Sequence, residues 1–204
     1  MKFPSKGLYA ITQTDGKPEQ LIIQQVDSAL KGGACVIQYR DKTPNKTDNL
    51  AKELLKICQQ HKAPLLINDD AELAQRIGAQ GVHIGKDDGG IAKARQILGP
   101  KAIIGLSCYD NIETAIQAEA NGADYVAFGR FFPSSSKPLA LPAHIETLEL
   151  AKQKIQIPIV AIGGILPENG QQLLAAGANM LAVIGGIFDA TPEASAKAYC
   201  QLFN

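Results

Sequence analysis

The chain alternates eight times between a short apolar segment and a longer amphipathic one, and this order is the strongest constraint on its fold. We predict strands at residues 7–12, 35–40, 64–68, 81–84, 102–107, 125–129, 157–163 and 180–185. We predict helices at residues 18–31, 45–61, 70–77, 90–98, 111–121, 143–155, 168–176 and 191–202. Such alternation produces parallel strands joined by helical crossovers, either closed into a (β/α)8 TIM barrel or left as an open doubly wound sheet. Eight units within 204 residues favour the compact barrel, as a single α/β domain over residues 1–204.

A similar sequence motif occurs where four of the predicted helices end: KGGACV, IGAQGV, NGADYV and AGANML. Glycine suits the position after a helix because it adopts the left-handed conformation without steric cost. We therefore interpret this repeat as structural.

Composition excludes several classes of function. The 20 basic residues balance the 20 acidic ones, so no overall positive field favours a nucleic acid partner and any cationic site must be local. The four cysteines include no C-x-x-C pair, which argues against a zinc or redox motif. We find no secretory signal and no apolar run of the roughly 18 to 20 residues that a membrane helix needs. We expect a cytoplasmic protein with no membrane partner; its oligomeric state is not determined, and a homodimer is one arrangement we consider.

Polar residues gather where the predicted strands end, which is where a barrel assembles its active site. After the second strand, Gln38, Arg40 and Lys42 alternate within QYRDK and would project from one face. Two cations and an amide in such a row suit a pyrophosphate group. The alternative is an ordinary exposed strand end in which Arg40 pairs with Asp41 or a neighbouring carboxylate.

Acidic residues follow the third and fourth strands, in NDD and GKDD. Asp69 and Asp88 could jointly hold one hard cation, for which Mg²⁺ is the best candidate because it takes one or two carboxylates and leaves places for water and phosphate oxygens. Asn68 would add a neutral contact. The alternative is that both motifs cap the helices that follow. The two roles can coexist if Asp70 caps while Asp69 binds.

Three further features lie at or near the strand ends. We expect Ser107 to form hydrogen bonds rather than to act as a nucleophile, because no base accompanies it in sequence. The loop GRFFPSSSKP, with Ser134, Ser136 and Lys137, is interpreted as a lid over an anionic ligand, with a solvated turn as the alternative. We interpret His83 as a satisfied core residue rather than a catalyst.

Glycine pairs follow the last two strands, in AIGGI and VIGGI. Gly163, Gly164, Gly185 and Gly186 would leave backbone N–H groups unobstructed at the starts of helices, which is a common way for barrels to hold a phosphate monoester. We therefore expect a pyrophosphate on the metal side of the site and a separate monophosphate on the glycine side.

The ordered motifs LYAIT, QYRDK, IND, GVHIGKDD, IGLSCY, GADYVAFG, FFPSSSKP, VAIGGI and AVIGGIF resemble the thiamine phosphate synthase family over almost the whole chain. The resemblance implies a (β/α)8 barrel enzyme, a transferase of thiamine biosynthesis. It would join hydroxymethylpyrimidine diphosphate to hydroxyethylthiazole phosphate with Mg²⁺, releasing pyrophosphate through a carbocation.

The resemblance also implies roles for individual residues. The contacts to the pyrimidine diphosphate correspond to Gln38, Arg40, Lys42 and Asn68. The Mg²⁺ ligands correspond to Asp69 and Asp88, and the positions near the reacting groups to Ser107 and Lys137. The contacts to the thiazole phosphate correspond to Ser134 and Ser136, and we also expect Gly164, Ile184 and Gly185 to bind substrate. We expect the catalytic residues to be Arg40, Lys42, Ser107 and Lys137.

The chain departs from the usual family text at a few positions. Lys86 replaces a glutamine, S-S-S-K replaces T-x-T-K, and Gly185 stands where a serine is frequent. ITQTD replaces IT-D in the first strand, which leaves the roles of Thr12 and Asp15 open. None of these changes removes a metal carboxylate.

Two alternatives to the synthase remain at this point. One is a thiazole tautomerase, a related barrel that performs proton transfer and needs no diphosphate. The other is a non-catalytic sensor of phosphate ligands. The retained Asn68, Asp69 and Asp88, together with Lys137, favour the synthase.

Overall fold

Eight parallel strands close into a barrel in the order of the chain. The structure is a computed structural model that describes residues 1–43, 48–85, 88–134 and 141–204. The strands are β1 (Gly7–Ile11), β2 (Val36–Tyr39), β3 (Leu65–Asn68), β4 (Gly81–Ile84), β5 (Ile103–Tyr109), β6 (Tyr125–Phe128), β7 (Ile159–Ile162) and β8 (Met180–Val183). Because β1 pairs with β8, with Leu8 opposite Leu181, the TIM barrel is confirmed and the open sheet is wrong.

Helices cover the outside of the barrel between successive strands. They are α1 (Glu19–Lys31), α2 (Asp48–Gln60), α3 (Ala71–Ile77), α4 (Gly90–Leu98), α5 (Ile112–Ala120), α6 (Ile145–Lys154), α7 (Pro167–Ala176), α8 (Gly185–Phe188) and α9 (Pro192–Cys200). A 3₁₀ turn at Gln201–Phe203 continues α9 and occupies the end of the last predicted helix. The short α8 was not predicted. Within the described ranges, none of these helices has the length and apolar content needed to cross a bilayer.

The strands are buried on both faces, so the core has two parts. Outward-facing strand residues pack against the helices, and inward-facing residues from alternate positions fill the barrel itself. Tyr9 and Tyr125 are the largest side chains inside the barrel. Phe3 stacks on Tyr125 with ring centroids 4.0 Å apart. Because Phe3 precedes β1 and Tyr125 is the first residue of β6, this contact lies at the amino ends of the strands.

The four repeated junctions behave as predicted. Their glycines have positive φ angles: Gly33 at 105°, Gly78 at 73°, Gly122 at 83° and Gly177 at 126°. An L-residue rarely adopts these angles, so the repeated text reflects a repeated backbone requirement between each helix and the next strand.

Candidate active site

A cavity of about 440 Å³ opens at the carboxyl ends of the strands. It is lined by the predicted site residues that the structure describes: Gln38, Arg40, Lys42, Asn68, Asp69, Asp88, Ser107, Ser134, Gly164, Ile184 and Gly185. Ser136 and Lys137 lie outside the described residues. Segments far apart in sequence therefore converge on one rim, as expected for a barrel.

Hydroxyl groups, rather than Arg40, surround Asp41 at the end of β2. The Asp41 carboxylate accepts hydrogen bonds from Tyr39 Oη at 2.8 Å and from Thr43 Oγ1 at 2.8 Å. Burial favours the neutral acid, but the hydrogen bond from the Thr43 N–H at 2.9 Å, together with those from the hydroxyls, outweighs it and lowers the pKa of Asp41. Within the described ranges, no carboxylate forms an ion pair with Arg40. The guanidinium that lines the cavity is therefore available to an anionic ligand.

Thr12 supports the backbone of Arg40. Its side-chain oxygen accepts the Arg40 N–H at 2.9 Å and donates to the Arg40 carbonyl at 3.3 Å. Thr12 is 1% exposed, so these bonds form in the protein interior, where they are costly to lose. Thr12 is thus a support of the cationic strand end, whereas Asp15 is exposed.

Lys42 and two aspartates lie together across the cavity rim. Lys42 Nζ lies 2.6 Å from Asp69 Oδ2, and Asn68 Nδ2 donates to the same oxygen at 2.6 Å. Asp88 Oδ2 accepts the Gly85 N–H at 2.6 Å. Burial favours the neutral form of Asp69, but Lys42 outweighs it and lowers the pKa of that carboxyl. Burial and the negative charge of Asp69 together raise the pKa of Asp88.

This donor set fits a hard divalent cation. The two carboxylates are close enough that charge on Asp69 disfavours charge on Asp88, and a shared cation would relieve that repulsion. Lys42 already places a positive charge on Asp69. Within the described part of the chain, no group of three His, Cys, Asp or Glu side chains could hold an ion. Water and substrate oxygens would have to complete the coordination, as Mg²⁺ commonly allows.

The capping alternative holds for Asp70 but not for Asp69 or Asp88, and Asp87 lies outside the described residues. Asp70 Oδ1 accepts the Leu73 N–H at 2.8 Å and so caps α3. Asp69 instead has a φ of 63°, in the left-handed region, and its N–H donates to the His83 carbonyl at 2.8 Å. At α4 the N-cap residue is Gly89, not Asp88.

A row of polar side chains crosses the barrel interior at the floor of the cavity. Gln38 Nε2 donates to Tyr9 Oη at 2.7 Å, and the hydroxyls of Tyr9 and Tyr125 lie 2.9 Å apart. Tyr125 Oη lies 2.8 Å from His83 Nδ1, and His83 Nε2 lies 2.9 Å from Ser107 Oγ. We call these five residues the interior polar row. Both ring nitrogens of His83 have partners, which confirms the interpretation of a satisfied histidine.

Sequence reasoning missed Tyr9 and Tyr125. Tyr125 can lie inside the barrel only because residue 105 is glycine: a Cβ there would stand 2.0 Å from Tyr125 Cζ. Gly105 and Tyr125 are neighbours in the pairing of β5 with β6. A glycine in the middle of an otherwise apolar strand is the one signal that could have indicated this close approach.

The glycine side of the cavity is formed by the segments after β7 and β8. Gly164 has a φ of 63°, and a Cβ on it would lie 2.3 Å from the Pro133 carbonyl oxygen. This close packing brings the loop that follows β6, including Ser134, against the loop that follows β7. Gly185 lies opposite Asp189, whose Oδ2 would stand 2.5 Å from a Cβ at residue 185. The absence of a side chain at residue 185 thus leaves room for this carboxylate.

Comparisons with known proteins agree with this architecture. The model of one protein family, described as "Thiamine monophosphate synthase", matches residues 8–187. A protein of Nitrosococcus oceani named thiamine-phosphate synthase is 53% identical over 201 residues, which cover 97% of this chain and 93% of that protein. One of Methylococcus capsulatus with the same name is 47% identical over 207 residues, covering 100% of this chain and 92% of its own.

A solved structure shows the same relationship. Thiamine phosphate pyrophosphorylase from Pyrococcus furiosus superposes with a TM-score of 0.86 at 32% identity, covering 97% of this chain and 95% of that one. The similarity extends over nearly the whole of both chains. The chain therefore belongs to the thiamine monophosphate synthase family.

Proposed function

We propose that the protein is a transferase that joins hydroxymethylpyrimidine diphosphate to hydroxyethylthiazole phosphate, with Mg²⁺, to give thiamine phosphate and pyrophosphate. Family membership supports the activity. The observation that carries the details is the convergence of Asp69, Asp88, Lys42 and Arg40 on one rim of the cavity. Two carboxylates opposed by two cations suit a metal-bound pyrophosphate leaving group.

Asp69 and Asp88 would hold the Mg²⁺ ion. Asn68 donates a hydrogen bond to Asp69 Oδ2 at 2.6 Å and so orients that carboxylate. When bound, the ion would supply positive charge to the oxygens of the departing pyrophosphate.

Arg40 and Lys42 supply the positive charge that belongs to the chain itself. As the bond between the pyrimidine methylene carbon and the pyrophosphate oxygen breaks, its electron pair leaves with the oxygen. The two cations therefore bind the transition state more tightly than the substrate. Lys42 is bonded to Asp69 in this structure, so substrate binding would transfer its ammonium group from the carboxylate to phosphate oxygens.

The methylene cation that remains would be captured by the lone pair of the thiazole nitrogen, which forms the new C–N bond. This step needs no protein nucleophile, but it does need water to be excluded. Ser134 lines the cavity and follows Pro133, which packs against Gly164, and this position supports its assignment to a lid. Ser136 and Lys137, which we assign to the same lid, lie outside the described residues.

The thiazole phosphate would bind on the glycine side. Gly164, Ile184 and Gly185 line this part of the cavity, where backbone N–H groups can approach a phosphate, and the Asp189 carboxylate lies beside Gly185. The two substrates would thus place their phosphate groups on opposite sides, with the reacting carbon and nitrogen between them.

A pyrophosphate-release assay tests the proposal. We expect release only when both substrates and Mg²⁺ are present, a stop on addition of a chelator, and recovery with excess Mg²⁺. Conversion of the thiazole substrate alone, without any need for the diphosphate, would instead identify a tautomerase. Tight binding of both substrates without product would identify a sensor.

Two finer points belong to the same proposal. We propose that the enzyme acts in the cytoplasm, as expected from its sequence, and that its ligands are small molecules rather than nucleic acid because its charge is balanced. Sedimentation of the purified protein directly tests the homodimer that we considered from the sequence.

A further inference from the structure

The direction of the hydrogen bonds in the interior polar row can be assigned from its Gln38 end. The Gln38 Nε2 group can only donate, so Tyr9 Oη accepts from it. Burial raises the pKa of Tyr9, so this phenol keeps its own proton. Within the described residues, the hydroxyl of Tyr9 has only Gln38 and Tyr125 as hydrogen-bond partners. Its proton is therefore donated to Tyr125.

The same reasoning extends to the far end of the row. Tyr125 is also fully buried and protonated, and because it accepts from Tyr9 it donates to His83 Nδ1. A ring nitrogen that accepts carries no proton, so the proton of the imidazole is on Nε2, which donates to Ser107 Oγ. The proton of the Ser107 hydroxyl is then left for an acceptor in the cavity.

We propose that Tyr9, Tyr125 and His83 are positioning residues that fix the direction of this row, so that Ser107 donates its hydroxyl proton to a ring nitrogen of the aminopyrimidine substrate. The identity of that substrate rests on the proposed function. The direction of the row does not, because it follows from contacts within the protein.

The place of Ser107 favours the ring over the pyrophosphate as its partner. Arg40, Lys42 and Asp88, the groups suited to pyrophosphate, all follow the ends of their strands. Ser107 lies within β5, and through His83 it rests on the fully buried Tyr125. We therefore expect the flat pyrimidine ring of the substrate, rather than its pyrophosphate, to reach Ser107. The unprotonated nitrogens of that ring are hydrogen-bond acceptors.

The opposite direction of the hydrogen bonds, from Ser107 towards Gln38, is disfavoured because it leaves one buried proton without an acceptor. If Ser107 donated to His83 Nε2, then His83 Nδ1 would donate to Tyr125 and Tyr125 to Tyr9. The Tyr9 proton would face the donor Nε2 of Gln38 and have no acceptor, and a buried donor without a partner is costly. Gln38 thus determines a hydroxyl direction that is four hydrogen bonds away.

Long-range ¹H–¹⁵N NMR of the labelled full-length protein reads the direction without any substrate. At about pH 8, above the ordinary imidazole pKa of about 6.5, we expect His83 to carry its proton on Nε2. Gln38→Glu replaces the donor by a carboxylate that can only accept. Tyr9 should then donate to residue 38, the row should reverse, and the proton of His83 should move to Nδ1. A proton on Nδ1 in the wild type, or the same tautomer in both proteins, would overturn the proposal.

Tyr125→Phe supplies the matched control, because it keeps the ring and removes one hydroxyl from the row. In a Tyr125→Phe background, adding Gln38→Glu should leave the His83 tautomer unchanged, since the connection is broken. A tautomer change of the same size in that background would mean that the glutamate acts through space, and the row would have no such role. The His83 signals are assigned by their loss in His83→Asn, and circular dichroism checks that each variant is folded.

Kinetics test the consequence for the substrate. Tyr125→Phe releases Ser107 to bond back to His83, so the KM for the pyrimidine diphosphate should rise about tenfold. The KM for the thiazole phosphate should not change. An equal rise in both would indicate a structural defect and overturn the positioning role. If the wild type released no pyrophosphate, the proposed function would fail, while the tautomer measurements would still decide the direction of the row.

Discussion

Neighbouring residues at the strand ends have distinct tasks. Asp70 caps α3 through Leu73, while the adjacent Asp69, with its positive φ, faces the cavity and Lys42. Asp41 is enclosed by hydroxyl donors, and the adjacent Arg40 is left to the cavity. Each pair is separated by a single peptide unit, so the backbone conformation at one residue decides which side chain supports the fold and which one faces a ligand.

At this scale we expect Arg40→Ala to lower kcat by roughly a hundredfold to a thousandfold, because the loss of one preorganised donor typically costs about 2.7 to 4 kcal/mol of barrier. Steady-state pyrophosphate release measures the effect. Arg76→Ala is the matched control, since Arg76 is an exposed arginine that pairs with Asp48 outside the cavity. The assigned role is contradicted if both variants keep the same turnover, or if Arg40→Ala fails to fold by circular dichroism.

The eight strand and helix pairs could be predicted because the spacing of apolar residues and the positions of glycines after helices are local properties of the sequence. The short α8 could not, since four residues of GGIF are too few to show an amphipathic period. The interior polar row was beyond reach for a different reason. Contact between Tyr9 and Tyr125 depends on the register and closure of strands 116 residues apart, which no local pattern encodes.

One hydrogen-bonded pair joins two elements and should make stability depend on pH. His144 Nδ1, at the start of α6, lies 2.6 Å from Asp110 Oδ2, just after β5. The hydrogen bond to Asp110 raises the pKa of His144. The contribution of the charged imidazole is therefore complete below its unfolded-state pKa of about 6.5 and is lost as pH rises through the folded-state value.

The stabilisation by the charged His144 also requires Asp110 to be ionised, so protonation of Asp110 limits it at acid pH. Burial opposes its ionisation, but hydrogen bonds from Thr147 and His144 outweigh burial and lower the pKa of Asp110. We therefore expect the loss of unfolding free energy caused by His144→Gln to be largest near about pH 5.5 and to shrink towards about pH 8.5, by urea denaturation. In an Asp110→Asn background His144→Gln should have no pH-dependent effect. A persistent dependence would assign the effect to another group.

The whole molecule should gain stability when the metal and the leaving group bind together. Pyrophosphate with Mg²⁺ at a hundred times the dissociation constant should add about 2.7 kcal/mol to the free energy of unfolding. For a chain of this length that corresponds to a rise in Tm of about 5 to 10 °C, measurable by calorimetry. Asp88→Asn should lose most of the rise and Asp48→Asn, outside the cavity, should keep it. Equal rises in both would argue against Asp88 as a ligand.

The residues of the cavity rim that are assigned to the two substrates come from different parts of the sequence. Every group assigned to the diphosphate, from Gln38 to Ser107, precedes β6, whereas the groups assigned to the thiazole phosphate, from Ser134 to Gly185, follow it. On the proposed assignment, the donor contacts other than the lid lie in the first five strand and helix units, and the acceptor contacts lie after β6. Acceptor specificity could therefore be altered by exchanging the loops that follow β7 and β8, without changing Arg40, Lys42 or the two carboxylates.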